Sequence, residues 1–203
     1  MNRLNPSVTA FAIGLAFGAA AMAQEMSKDD YKAGQEKLAA EYMAARAACD
    51  SLSGTANEIC QVDATGRAKV ARAELDAAYT PSAKSRHEAR VVKAEADRAS
   101  ALERCNDAAG NAKEVCRKEA DAAATSAKAD AKVQIKTTDA NAARGASAGA
   151  RARADAQAAE ARTEATEDKL DARHGVARQQ CDRFAGDAKD ACLNQAKARF
   201  AKP

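Results

Sequence analysis

Three stretches decide how this chain folds: CDSLSGTANEIC from Cys49 to Cys60, CNDAAGNAKEVC from Cys105 to Cys116, and CDRFAGDAKDAC from Cys181 to Cys192. They hold all six cysteines of the 203 residues. In each copy Asp or Asn follows the first Cys (Asp50, Asn106, Asp182) and Gly stands five residues after it (Gly54, Gly110, Gly186). A residue suited to capping a helix comes next (Thr55, Asn111, Asp187), then Ala, then an acid four residues beyond the Gly (Glu58, Glu114, Asp190). Glycine closes a helix in the left-handed conformation without a Cβ penalty. Thr, Asn or Asp after it accepts from the free N–H groups of a new helix. An acid three residues past that cap completes a capping box and meets the positive end of the helix dipole. Each unit therefore reads as helix end, corner, helix start, with N-caps at Thr55, Asn111 and Asp187.

The cysteines stand at nearly matched heights on the two arms of such a hairpin, which predicts the pairs Cys49–Cys60, Cys105–Cys116 and Cys181–Cys192. The alternative is one continuous helix, in which residues eleven apart share a face but lie roughly 16 Å apart. A disulfide spans only about 4–7 Å between Cα atoms, so the cysteines would then pair between units.

Residues 1–23 have the form of a secretory signal peptide: Arg3, an apolar run from Val8 to Ala20, and Ala21-Met22-Ala23 as a cleavage site. The run is short for a membrane span, so no stable span is expected after cleavage behind Ala23. Export accounts for the even cysteine count, since disulfides persist in oxidising compartments. A bacterial periplasm is the expected location.

Residues 24–203 form the helical repeat region. They contain 51 Ala but only 17 Leu, Ile, Val and Phe together. That shortage of large apolar residues points toward disorder. Against it, the 31 basic and 29 acidic side chains nearly cancel, and Ala, Glu, Lys, Arg and Gln are strong helix formers. The expected fold is all-α: an elongated array of long Ala-rich helices with three disulfide-stapled αα-hairpin corners. The helical stretches run from Ser27 to Ser53, Ala56 to about Tyr79, then to Ala109, on from Asn111, from about Ala150 to Ala185, and from Ala188 to Phe200. The first carries Tyr31, Leu38, Tyr42 and Ala45 on one stripe. Two breaks separate the units, at Thr80-Pro81-Ser82 (residues 80–82), where proline suits a helix start, and at residues 145–149 between Gly145 and Gly149. Each nearly bisects its inter-unit segment, as an up-and-down array requires. Packing is expected to be loosest over residues 136–165, where large apolar side chains vanish.

No constellation for catalysis, cofactor or metal binding emerges, and none of these sites is assigned. The cysteine spacings match neither thioredoxin-type, haem nor zinc motifs. His87 and His174 sit in charged helical stretches and read as solvated. Carboxylates interleave with bases, as in Lys93/Asp97 and Asp168/Arg173, the pattern of a solvated helix surface. A nucleic-acid binder would carry a dominant positive field, so nucleic acid is not an expected partner despite Arg144, Arg151 and Arg153.

The Cys-Asp-x-Leu/Phe-x-Gly-x-Ala-Lys-Asp/Glu-x-Cys unit resembles one found in uncharacterised exported, Ala-rich proteins of β-proteobacteria, sometimes labelled TolA-like or cell-envelope proteins. Thr55 and Asn57 depart from it in the first unit. The resemblance implies the compartment and brings no catalytic residue. The sequence thus leads to a non-enzymatic periplasmic structural or interaction protein with an unidentified protein or envelope partner. A homo-oligomer is compatible with it. The competing reading is a stress or binding protein whose cysteines form a redox or metal reservoir.

Overall fold

The computed structural model describes residues 26–200. The signal-peptide segment and its cleavage site at Ala23 lie outside the described residues. Within them the chain is all-α, with six α-helices: α1 (Lys28–Cys49), α2 (Gly54–Tyr79), α3 (Ala83–Arg104), α4 (Gly110–Ala142), α5 (Ala148–Cys181) and α6 (Gly186–Arg199). Short 3-10 turns, Cys105–Asp107 and Ala143–Gly145, follow α3 and α4.

Each helix packs mainly on its neighbours in the chain, so the topology is up and down. Cross-helix pairs show the antiparallel sense throughout. Tyr31 donates to Asp76 (2.6 Å) between α1 and α2, and Arg104 pairs with Asp63 (2.7 Å) between α2 and α3. Arg98–Asp121 (2.7 Å) and Lys128–Glu95 (2.9 Å) join α3 to α4. Lys132–Glu164 and Lys169–Asp130 join α4 to α5. Antiparallel neighbours put alternate corners at the same end, and Gln179 next to Cys181 indeed donates to Asn111 in the second unit (2.9 Å).

The core is made of small residues. The largest fully buried side chains are Cys49, Cys105 and Cys181, the first cysteine of every unit. Otherwise the buried positions are alanines, with Gly66 on α2. The tyrosine stripe of α1 behaves as expected: Tyr31, Leu38, Tyr42 and Ala45 are half-buried, and Tyr31 stacks on Tyr79 at 4.2 Å between ring centroids.

Within residues 136–165, where loose packing is expected, positions 141–157 hold no buried residue, but alanines are buried on either side of them. The α4–α5 pair is the most extensively packed in the molecule, with Ala140, Ala158, Ala161 and Ala165 buried in that stretch. Alanine has no rotamer entropy to lose, and its short side chain lets two helices approach closely. At Ala140, Ala158, Ala161 and Ala165 the absence of large apolar residues therefore goes with close approach of the helices.

The second break is also displaced. The chain turns at Ala143–Gly145 and re-enters helix at Ala148, so Gly149 lies inside α5. Ser147, an N-cap accepting from Ala150 N–H (3.4 Å), places the restart. The break at residues 80–82 falls where the proline puts it. There Ser82 and Ser85 exchange side-chain to backbone hydrogen bonds of 2.9 and 3.0 Å in a full capping box.

Candidate interaction surface and the disulfide corners

All three units fold into the same corner. The pairs are Cys49–Cys60, Cys105–Cys116 and Cys181–Cys192, with Cα separations of 5.6, 5.6 and 5.7 Å, and no cysteine is free. In each, the carbonyl of the first cysteine accepts from the N–H three residues on: Leu52 (2.9 Å), Ala108 (3.2 Å) and Phe184 (3.0 Å). An extended residue follows (Ser53, Ala109, Ala185), and then glycine at φ +57°, +56° and +55°.

The glycines are thus left-handed, but their role differs from the expected one. The preceding helices stop earlier, at Cys49, Arg104 and Cys181, and glycine is the first residue of the next helix. Thr55, Asn111 and Asp187 are therefore second helical residues and not N-caps. The cap position belongs to Ser53, Ala109 and Ala185, and none of the three makes a side-chain capping bond. The capping boxes expected through Glu58, Glu114 and Asp190 do not form. With an extended residue and a left-handed glycine making the reversal, Thr55, Asn111 and Asp187 stand two positions past the cap, inside the first turn. The unstapled corners do the opposite: they lack a disulfide and carry serine caps at Ser82 and Ser147.

In the first and third units the ninth residue ties the corner from the other side. Asn57 donates to the Cys49 and Leu52 carbonyls (2.7 and 3.4 Å), giving the Cys49 carbonyl a second donor beside the Leu52 N–H. Its counterpart Lys189 pairs with Asp182 (2.8 Å), and that hydrogen bond holds the Asp182 carboxyl below the usual carboxylate range. The departure of the first unit from lysine is thus a change of acceptor, backbone for carboxylate.

The histidines are half-buried and not fully solvated, with His174 tilted against Phe200 at 6.0 Å. Lys93–Asp97 forms as expected (2.7 Å). Asp168 instead adds its charge to the field of Glu164 at Lys132, whose pKa is raised chiefly by the hydrogen bond to Glu164. Among the described residues no group of three or more His, Cys, Asp or Glu is placed to hold a metal, and no helix is long and apolar enough to cross a membrane.

A groove of about 1020 Å³ runs along α2, between α1 and α3. One wall is polar: Tyr42 and Arg46 of α1 with Thr65 and Lys69 of α2. The Arg46 guanidinium donates to the Tyr42 hydroxyl (3.2 Å) and lies over its ring, 5.9 Å from the centroid. With Thr65 as the second partner, this hydrogen bond lowers the Tyr42 pKa from its ordinary value. The other wall is mainly apolar, from Val62 and Ala73 of α2 to Val92, Ala96 and Ala99 of α3, with Glu95 of α3 among them. Gln61 lines the same groove, its Oε1 buried without a hydrogen-bond partner. Sequence reasoning found none of this, because the lining comes from three helices and no local spacing announces it. Comparison with family models, with curated proteins and with solved structures finds no match to the chain.

Proposed function

We propose that this is an exported, non-enzymatic structural or interaction protein of the cell envelope, an elongated helical array kept in shape by its corner disulfides. The observation that carries the reading is the triplicate corner: six cysteines, three bridges of one geometry, no free thiol. Such bridges belong to an oxidising compartment, where the apolar run before Ala23 would deliver the chain. Packing between chain neighbours supports the elongated shape. The resemblance of the units to exported Ala-rich cysteine-repeat proteins agrees with the compartment. The non-enzymatic part rests on the sequence, whose titratable residues recur as interleaved helix-surface charges.

Cell fractionation of the native host, with intact-mass and free-thiol measurement on the purified protein, tests this. A periplasmic chain beginning at Gln24 with thiols near zero is the expected result. A retained N-terminus in the membrane fraction, or several titratable thiols with co-purifying metal, would overturn it. Small-angle scattering tests the elongated shape, and capture from envelope extracts tests the interaction role.

A further inference from the structure

The groove along α2 has two unlike walls running side by side for its whole length. From Gln61 to Asp76 it follows sixteen residues of α2, a rise of roughly 22 Å at 1.5 Å per residue. Its cations are spread along that length: Arg46, in the last turn of α1, at the corner end, then Lys69, then Arg72 one turn further on. Neither Arg46 nor Lys69 has a carboxylate within ion-pair distance among the described residues. The groove's two acids are already engaged: Asp76 by Arg72 (3.5 Å) and by the Tyr31 hydroxyl, Glu95 by Lys128. The polar wall therefore carries a positive surplus: Arg46 feels the charge of Asp50 only at a distance, and Lys69 forms no ion pair among the described residues.

The apolar wall is shallow because its residues are small. Gly66 at its base has Ala96 so near that an added Cβ would lie 3.2 Å from the Ala96 Cβ. Helices α1 and α3 flank α2 and leave this face of it uncovered. A helix laid there would touch all three and bury the seam, as amphipathic helices do in apolar grooves. A single-headed amphiphile would need its cations gathered at one end, whereas these are distributed.

Resting on the interaction role proposed above, we infer that the α1–α2–α3 groove receives an amphipathic helix of a partner protein. That helix carries small apolar residues on one stripe and Glu or Asp at helical spacing on the adjacent stripe. The acids face Arg46 and Lys69, and the small residues meet Val62, Val92, Ala96 and Ala99.

The test uses the full oxidised chain and two labelled helical peptides of about 15 residues, matched to the groove length. One carries Ala/Leu and Glu stripes, and the other has every Glu replaced by Lys. Fluorescence anisotropy should show saturable binding of the Glu peptide, weakened by about tenfold or more in the Arg46→Glu/Lys69→Glu variant and for the Lys peptide. A control variant, Lys113→Glu/Arg144→Glu, carries the same charge change away from the groove and should bind as the parent does. Circular dichroism confirms that both variants keep their helix. Equal binding of the two peptides, or equal loss in both variants, would overturn the proposal in favour of non-specific charge attraction. Groove-dependent binding of dodecanoate without binding of the Glu peptide would overturn it in favour of a lipid anion. A dimer that the groove variant dissolves would overturn it in favour of a second copy. Capture from envelope extracts separates the two levels. If parent and groove variant retain the same proteins, the groove fails and the interaction role stands. If neither retains any while the Glu peptide still binds in the groove, the interaction role fails.

Discussion

Glycines with open surroundings are of two kinds, with opposite responses to a methyl group. Gly54, Gly110 and Gly186 have φ near +56°, and a Cβ at any of them would meet nothing within 4 Å. The cost of alanine there is purely conformational, about 1–2 kcal/mol for a left-handed L-residue. Gly175 lies inside α5 with equally open surroundings and no positive φ. Alanine there removes a helix-interior glycine and should stabilise by roughly 0.5–1 kcal/mol. Urea melts of Gly110→Ala and Gly175→Ala should move in opposite directions. A shared direction would mean that the corner glycine is not held left-handed.

Two corner designs alternate along the chain, and each responds to a different reagent. The disulfide corners have no side-chain cap, so reductant removes their main constraint. Each bridge closes a loop of about a dozen residues, worth roughly 3 kcal/mol by the chain-entropy estimate. Reduction should lower the melting temperature while leaving helix, and the serine corners at Ser82 and Ser147 should be indifferent to it. Trypsin maps the pairing. No Lys or Arg separates Cys49 from Cys60, so that bridge stays within one peptide. Lys113 divides the second unit, and Arg183 and Lys189 divide the third, so each yields two peptides joined until reduction. Acid acts on the third corner through Asp182. Its folded pKa lies below the ordinary 3.8, so its contribution is complete above that value and is lost as pH falls through the lowered one. Asp182→Asn should flatten that acid limb in melts between neutral pH and about pH 2.5, and a limb that survives would show other carboxylates at work.

Because contacts run between chain neighbours, the array has no single core, and stability is close to a sum of local interfaces. The α4–α5 interface is the most extensive and the most alanine-rich. Hydrogen exchange should therefore be slowest there and fastest in α1 and α6, the two ends, with a melt broader than that of a single-core domain. Ala161→Leu, at a position 2% exposed, forces extra volume into that seam and should cost about 1–3 kcal/mol. A neutral Ala161→Leu would show that α4 and α5 are separable without penalty.

The sequence by itself determined the helices, the three corners and their disulfide pairing. Those features are local: helix propensity acts residue by residue, and a left-handed glycine between two cysteines needs only a dozen residues to bring Cα atoms to 5.6 Å. The all-α class follows from them, and so does the proline break at residues 80–82. Tertiary structure decided the rest. Whether Thr55, Asn111 and Asp187 cap a helix depends on where the extended residue before the glycine aims the chain, and composition does not encode that. Whether the stretch around Ala158 and Ala161 is slack or tight depends on what faces it, because an alanine reads the same on a bare surface and against another helix. The groove exists only because α1 and α3 bring Tyr42, Arg46, Val92 and Ala96 to one face of α2, joining residues some fifty positions apart that no periodicity connects.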